Sequence, residues 1–263
     1  MPAPSQPSAL SLKQKLHGKT ATIGSWIQLG HVGAAEIMAL AGFDWLVVDL
    51  EHSAISIETA ADLIRVIDNC GVAPLVRLTS NDPNQVKRVM DAGAHGIVVP
   101  MVNCAEDASI AVAALHYSPR GTRGVGLARA QGYGHNFSDY LTWIAANGVV
   151  IVQIEHKDAI ANLEAILSVP GVDGFMIGPY DLSCSLGVAG DFQHPAFLSA
   201  INKIREIGAG LGVCAGLHIV EPSLDTLTQT IQEGYRFIVY SVDIRVLDRG
   251  FRIGINHFRN ANT

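Results

Sequence analysis

Charge is scarce in this 263-residue chain: 16% of its residues are Asp, Glu, Lys or Arg, against 49% that are hydrophobic. The net charge of -6 and the lack of any cluster of Lys and Arg argue against a nucleic-acid or anionic-membrane surface as the main partner. No apolar run reaches the roughly 18 to 20 residues of a membrane span, so the apolar excess belongs to an internal core. Cysteines are few and far apart, at Cys70, Cys104, Cys184 and Cys214, without the pair spacing of a zinc site or redox motif. A reducing, cytoplasmic setting and a small soluble substrate are expected. Lysine is also sparse, at Lys13, Lys15, Lys19, Lys87, Lys157 and Lys203, and none falls in an expected strand where a desolvated amine could form a Schiff base. Residues 1–16 are rich in Pro, Ser and Gln without the apolar stretch of a secretory signal, and read as a frayed tail before one domain over 17–263.

What is present is an alternation. Short β-branched runs at 21–29, 45–50, 73–78, 96–102, 149–155, 174–179, 212–218 and 236–242 read as strands. Stretches at 56–69, 82–92, 105–115, 157–167, 195–207 and 222–233 carry helical spacing between them. Ser56 suits an N-cap, and Asp82 followed by Pro83 suits a cap with proline at the first helical position. Eight strand and helix units in a chain of this length predict an α/β fold closed as a (β/α)8 barrel. Two connections are long, 116–139 and 182–194. The first carries Arg120, Arg123 and Arg129 among glycines, which suits either anion contact over a site or a crossover or subunit contact.

Strands of a parallel barrel are buried on both faces, so polar residues at their carboxyl ends require a reason, and that end is the active-site face. The ends read Gln28; Asp49, Glu51 and His52; Arg77; Gln153 and Glu155; Asp181; His218; Ser241 and Asp243. Glu155 and Asp181 follow adjacent strands, which lie about 4.8 Å apart, so both carboxylates can reach one point. Two carboxylates with open positions suit a hard divalent cation such as Mg2+ or Mn2+; the alternative is that each caps its helix. His52 beside carboxylates suits a general acid or base, and Arg77 suits either an oxyanion or a structural pair with Asp49 or Glu51. In 178–183, Gly178, Pro179, Tyr180, Asp181 and Ser183 form a turn into a helix start whose amides can meet a substrate carboxylate. His17, His95, His116, His135, His156, His194 and His257 show no ligand spacing, while His31 and His218 fall near barrel mouths.

Phe43-Asp44-Trp45 leading to Asp49-Leu50-Glu51-His52, with Val76-Arg77, Asn81-Asp82-Pro83, Val99-Pro100-Met101-Val102, Arg123-Gly124-Val125-Gly126, Gln153-Ile154-Glu155 and Gly178-Pro179-Tyr180-Asp181-Leu182-Ser183, resembles the metal-dependent (class II) pyruvate aldolases. This is the HpcH/HpaI family of 4-hydroxy-2-oxoheptanedioate and 2-dehydro-3-deoxyglucarate aldolases. The likeness runs over about residues 20–250. It implies a TIM barrel of the phosphoenolpyruvate/pyruvate type that cleaves a 4-hydroxy-2-oxo acid to pyruvate and an aldehyde. It further implies Mg2+, Mn2+ or Co2+ held by Glu155 and Asp181, Arg77 at the enolate oxygen, and His52 supported by Asp49 in proton transfer. Trp26, Gln153, Gly178, Pro179, Tyr180 and Ser183 would line the substrate, and the assembly would be a homo-hexamer, a dimer of trimers exchanging the last helix. Leu50 stands where familiar members have glycine, Tyr180 where alanine is frequent, and His218 near an aliphatic position of the aldehyde pocket, which implies a distinct acceptor. The other readings are a metal-dependent β-keto acid decarboxylase such as one acting on oxaloacetate, and a silent pyruvate-binding protein.

Overall fold

The computed structural model describes residues 10–262. Eight parallel strands close into a barrel in sequence order: β1 (Thr22–Ile27), β2 (Trp45–Asp49), β3 (Ala73–Arg77), β4 (Gly96–Val99), β5 (Val149–Ile154), β6 (Gly174–Ile177), β7 (Cys214–Ile219) and β8 (Phe237–Val242). The helices are α1 (Leu12–His17), α2 (Val32–Leu40), α3 (Ile57–Asn69), α4 (Pro83–Asp91), α5 (Ala105–Leu115), α6 (Phe137–Asn147), α7 (Lys157–Ala161), α8 (Leu163–Leu167), α9 (Pro179–Ser185), α10 (Pro195–Leu211), α11 (Leu224–Gln232) and α12 (Asp243–Ala261). Among the described residues, no helix is long and apolar enough to cross a membrane.

The apolar residues divide into two bodies. One lies between the strands and the helices that cover them, the other inside the barrel. Residues of alternate parity on each strand point inward. Trp45 therefore stacks on Phe237 with ring centroids 3.9 Å apart, and Trp26 sits edge-on above Trp45. Gly24 is glycine because a Cβ there would lie 2.2 Å from the Trp45 ring. The same inward rows continue to the carboxyl ends as Asp49, Arg77, Gln153, His218 and Ser241, so one side-chain layer becomes the floor of the mouth.

Two expectations change at the opposite end. The frayed tail expected over 1–16 gives way to helix α1 from Leu12 onward; residues 1–9 lie outside the described residues. Ser11 and Gln14 form a capping box, and Leu12 and Leu16 close the interior cluster from below. Polar contacts hold this plug: Lys13 lies 2.9 Å and His17 2.8 Å from the buried carboxylate of Asp173. Polarity in the sequence hid two buried leucines one helical turn apart.

The long connection 116–139 follows α5 and so runs across the end of the barrel away from the strand carboxyl ends. Its arginines are committed internally. Arg123 reaches Asp91 at 2.5 Å and lies over the Tyr117 ring, Arg129 reaches Asp68 at 2.6 Å, and Arg120 donates to the Ala145 carbonyl. These partners hold the loop against the barrel, away from the strand carboxyl ends. Strand β4 stops at Val99 instead of running to 102, because Pro100 has no N–H for the ladder and Met101 turns left-handed at φ 54°. The helix expected over 157–167 breaks at Asn162, whose amide donates to the Asn103 carbonyl at 2.9 Å.

Candidate active site

Register explains the first cluster. Asp49 and Arg77 are paired residues at the ends of neighbouring parallel strands, so their side chains leave the barrel wall at one height. The fully buried Asp49 carboxylate accepts Arg77 Nε at 2.9 Å and Nη2 at 2.7 Å, a two-pronged pair, and also Gln28 Nε2 at 2.8 Å. It accepts the backbone N–H of Glu51 at 3.1 Å and of His52 at 3.3 Å as well. Burial pushes the Asp49 carboxyl up, but Arg77, Gln28 and the His52 amide outweigh it and hold it below the usual carboxylate range. The expectation that Asp49 orients the His52 imidazole is thereby corrected: Asp49 holds Arg77 and the turn after β2. The His52 ring stands out into solvent with Nε2 3.8 Å from Glu51 Oε2.

Glu51 closes the other side of the guanidinium, its Oε2 3.2 Å from Arg77 Nη1 without an aligned hydrogen bond. Burial pushes Glu51 up to about 7; Arg77 opposes the rise, and the charges of Glu155, Asp49 and Asp181 add to it. The sequence reading set Glu51 among the strand-end polar groups without giving it a part.

The second cluster is built on β5 and β6. Glu155, almost fully buried, accepts the Met101 backbone N–H at Oε1 over 2.7 Å and the Gln153 amide at Oε2. Its carboxyl is raised by burial, a rise that the Met101 and Gln153 bonds oppose and the Asp181 charge reinforces. Gly178 packs against this carboxylate, where a Cβ would come within 2.7 Å of Oε2. Asp181, on the first turn of α9, is exposed and its side chain has no partner among the described residues. Met101 escaped the sequence reading because a backbone N–H aimed by a left-handed residue leaves no compositional signal.

The remaining expected residues divide. Trp26 lies beneath the mouth, with Arg77 5.3 Å and His218 5.4 Å from its ring and its indole N–H unbonded. Gln153 keeps a buried, unpartnered Oε1. Gly178 donates its N–H to the Ile154 carbonyl and Pro179 has none, so the amides of Tyr180 and Asp181 are the open donors at the start of α9. The Tyr180 ring is exposed, edge-on to Phe192 at 5.0 Å. Ser183 does not reach the substrate space with its hydroxyl, which donates to the Tyr180 carbonyl at 2.6 Å and accepts from Gly190 N–H at 2.9 Å. It pins the loop after β6.

The mouth thus gathers four carboxylates, Asp49, Glu51, Glu155 and Asp181, around one guanidinium. The profile of the HpcH/HpaI aldolase/citrate lyase family matches residues 22–249. The chain belongs to that family. It is 40% identical over 243 residues to a 4-hydroxy-2-oxo-heptane-1,7-dioate aldolase of Salmonella arizonae, covering 91% of each chain. A HpcH/HpaI aldolase/citrate lyase family protein from Burkholderia cenocepacia superposes with TM-score 0.89 at 36% identity, over 94% of this chain and 98% of that one. The HpcH/HpaI aldolase from Desulfitobacterium hafniense does so with TM-score 0.87 at 29% identity, over 95% and 97%. This member of the HpcH/HpaI family is accordingly a carbon–carbon lyase of the aldolase type.

Among the described residues, no three His, Cys, Asp or Glu side chains close on a common point as a ready-made metal cluster. The donor set that does exist is a pair, Glu155 and Asp181. A pair suits Mg2+ or Mn2+, which retain waters and take one or two carboxylates from the protein. Three observations fit such an ion: Glu155 and Glu51 both have raised carboxyls beside Asp181, and the Gln153 oxygen is buried without a donor. A cation would relieve all three.

Proposed function

We propose that this lyase reversibly cleaves a 4-hydroxy-2-oxo acid to pyruvate and an aldehyde with the help of Mg2+, Mn2+ or Co2+ held by Glu155 and Asp181. The observation that carries this reading is the crowding of the mouth, four carboxylates to one guanidinium, where Glu51 and Glu155, raised first by burial, are raised further by the charge of neighbouring carboxylates. When bound, the ion would supply the electrophilic centre that draws charge from the 2-oxo acid.

The residues of the chain divide the remaining work. Retro-aldol cleavage removes the C4 hydroxyl proton, breaks the C3–C4 bond and leaves its electron pair in the pyruvate enolate, which is then protonated at C3. Arg77 has five N–H groups; Asp49 takes two and Glu51 draws on a third, so two remain for the oxygen where negative charge develops. His52 stands exposed on the turn that Asp49 fixes, beside Glu51 at the rim, and is the group assigned to take the C4 hydroxyl proton. Met101 and Gln153 hold the Glu155 carboxylate in one orientation. The test is exchange of the pyruvate methyl protons with deuterated water. It should proceed with Mn2+ or Mg2+ and vanish in Glu155→Ala, and robust exchange after complete metal removal refutes the reading. His52→Ala should lose aldol cleavage far more than pyruvate binding. Release of carbon dioxide without an aldehyde would point instead to decarboxylation of a β-keto acid.

The assembly we propose is a homo-hexamer, a dimer of trimers in which α12 packs on a neighbouring copy. Asp243 is the only buried residue of α12, while Val246, Phe251, Ile253, Ile255 and Phe258 are all exposed. Apolar side chains repeated along one helix indicate a surface that another chain covers. Sedimentation at six times the monomer mass supports this, and a monomer at micromolar concentration refutes it.

A further inference from the structure

His218 has no part in the reaction as described, yet it stands in the same inward row as Arg77 and Gln153, at the carboxyl end of β7. One ring face lies against Trp26, with centroids 5.4 Å apart, and Trp26 carries Arg77 over its ring at 5.3 Å. The imidazole is therefore held over the floor of the mouth, across from the guanidinium. Its Nε2 lies 3.2 Å from the carbonyl oxygen of Ser241. A carbonyl only accepts, so the proton sits on Nε2 and Nδ1 presents a lone pair. Nδ1 makes no hydrogen bond among the described residues, and His218, though largely buried, keeps some exposed surface. Ser241 holds that carbonyl in place through its own left-handed backbone, φ 59°, and its hydroxyl bond to the Val220 carbonyl at 2.9 Å. Burial, the largest influence, lowers the His218 pKa to about 4, so the ring is neutral at pH 7.

The charges that act on it are those of Arg77 and Asp49, which are paired with each other. Arg77 is the single Arg or Lys on the inward rows, and Asp49 and Glu51 both hold it. Cations that follow the strand ends stand on helices: Lys157 opens α7, Arg245 is paired with Glu221 and Asp248, and Arg249 donates to the Pro222 carbonyl. A second carboxylate on the aldehyde would meet an acceptor nitrogen that has no proton to offer it, with the Asp49 charge nearby. A neutral hydroxyl would meet a matching lone pair.

We propose that His218 is a specificity residue that accepts a hydrogen bond from a hydroxyl of the aldehyde, and that the aldehydes favoured are neutral hydroxyaldehydes over semialdehydes that carry a carboxylate. This rests on the aldolase reading above. In the synthetic direction, C3 of the pyruvate enolate attacks the aldehyde carbon, the new C–C bond forms, and the carbonyl π pair moves to oxygen, which takes a proton. Only the group beyond that carbon distinguishes the substrates.

The experiment measures kcat/KM for pyruvate addition to glycolaldehyde, glyceraldehyde, propanal and succinic semialdehyde with the assembled Mn2+ enzyme, alongside pyruvate proton exchange without aldehyde. The two hydroxyaldehydes should exceed propanal and succinic semialdehyde by about three- to tenfold, the worth of one hydrogen bond between neutral groups. His218→Leu should collapse that ratio toward one, and His218→Gln, which keeps an acceptor, should preserve most of it. Equal use of propanal, preference for succinic semialdehyde, or an unchanged ratio in His218→Leu overturns the proposal. Absence of proton exchange in the wild type would instead overturn the aldolase reading beneath it.

Discussion

Removing the Asp49 carboxylate tests whether the mouth is organised as the distances indicate. Asp49→Ala deletes both bonds to Arg77 and the bond from Gln28, and leaves a guanidinium that is 7% exposed with Glu51 alone, at 3.2 Å. Breaking a buried ion pair by deleting one partner costs about 3–5 kcal/mol. Because Glu51 still faces Arg77, the lower end, about 3 kcal/mol, is expected. For a domain of this size that is a fall in Tm of roughly 6–12 °C. The assay is thermal and urea unfolding of metal-free protein at one fixed protein concentration, since association would itself shift Tm. The double variant Asp49→Ala, Arg77→Met removes the stranded charge as well, and should be more stable than the sum of the single losses by about 1–3 kcal/mol. The pH dependence has a definite sign. The Asp49 carboxyl lies below its ordinary value, so its stabilisation is present above that value and disappears as pH falls through the folded one. The gap between wild type and Asp49→Ala should therefore narrow in acid. Strict additivity in the double variant, or a gap that widens as pH falls, would refute the argument.

Glu51 has the opposite sign. Its folded value of about 7 lies above the ordinary 4.5, so stability is retained below pH 4.5 and is lost as pH rises through 7, by roughly 3 kcal/mol for the full shift. Metal-free Glu51→Gln should be more stable than wild type at pH 8 and lose most of this slope; an unchanged slope counts against the burial argument. Mn2+ added to wild type near pH 6.5 should release protons, read by calorimetry in buffers of different ionisation enthalpy, because the ion favours ionised Glu51 and Glu155. No buffer dependence would contradict that. His194 caps α10 through Nδ1, which accepts the Ala196 N–H at 3.2 Å, so His194→Ala should cost about 1 kcal/mol, or roughly 2–4 °C in Tm. Aldol activity should not change.

Much of this molecule was legible along the chain. All eight expected strands exist, because β-branched runs bounded by turn residues report a local preference that closure only trims, as at Pro100 after β4 and Pro179 after β6. Two of the helices outside the expected stretches show why a helix can be missed. α2 is apolar on more than one side, with Ala35 and Ala39 buried but Ile37 and Leu40 exposed, so no clean period marks it. α1 looks polar because only Leu12 and Leu16 face the core.

The site divides in a similar way. That Asp49, Arg77, Gln153, Glu155 and His218 share one end of the barrel follows from sequence alone, since each closes an apolar run and every such run in a parallel barrel points the same way. Which of them touch does not. Asp49 is three residues from His52, yet its carboxylate bonds Arg77, 28 residues away, because the register of β2 and β3 sets those two side chains level. Glu155 is oriented by the backbone of Met101, and Glu51 is raised by burial beside three other carboxylates. Chain order specifies residue types and strand ends through local geometry. Contacts and charge coupling depend on distances across the closed barrel, and only the tertiary structure decides those.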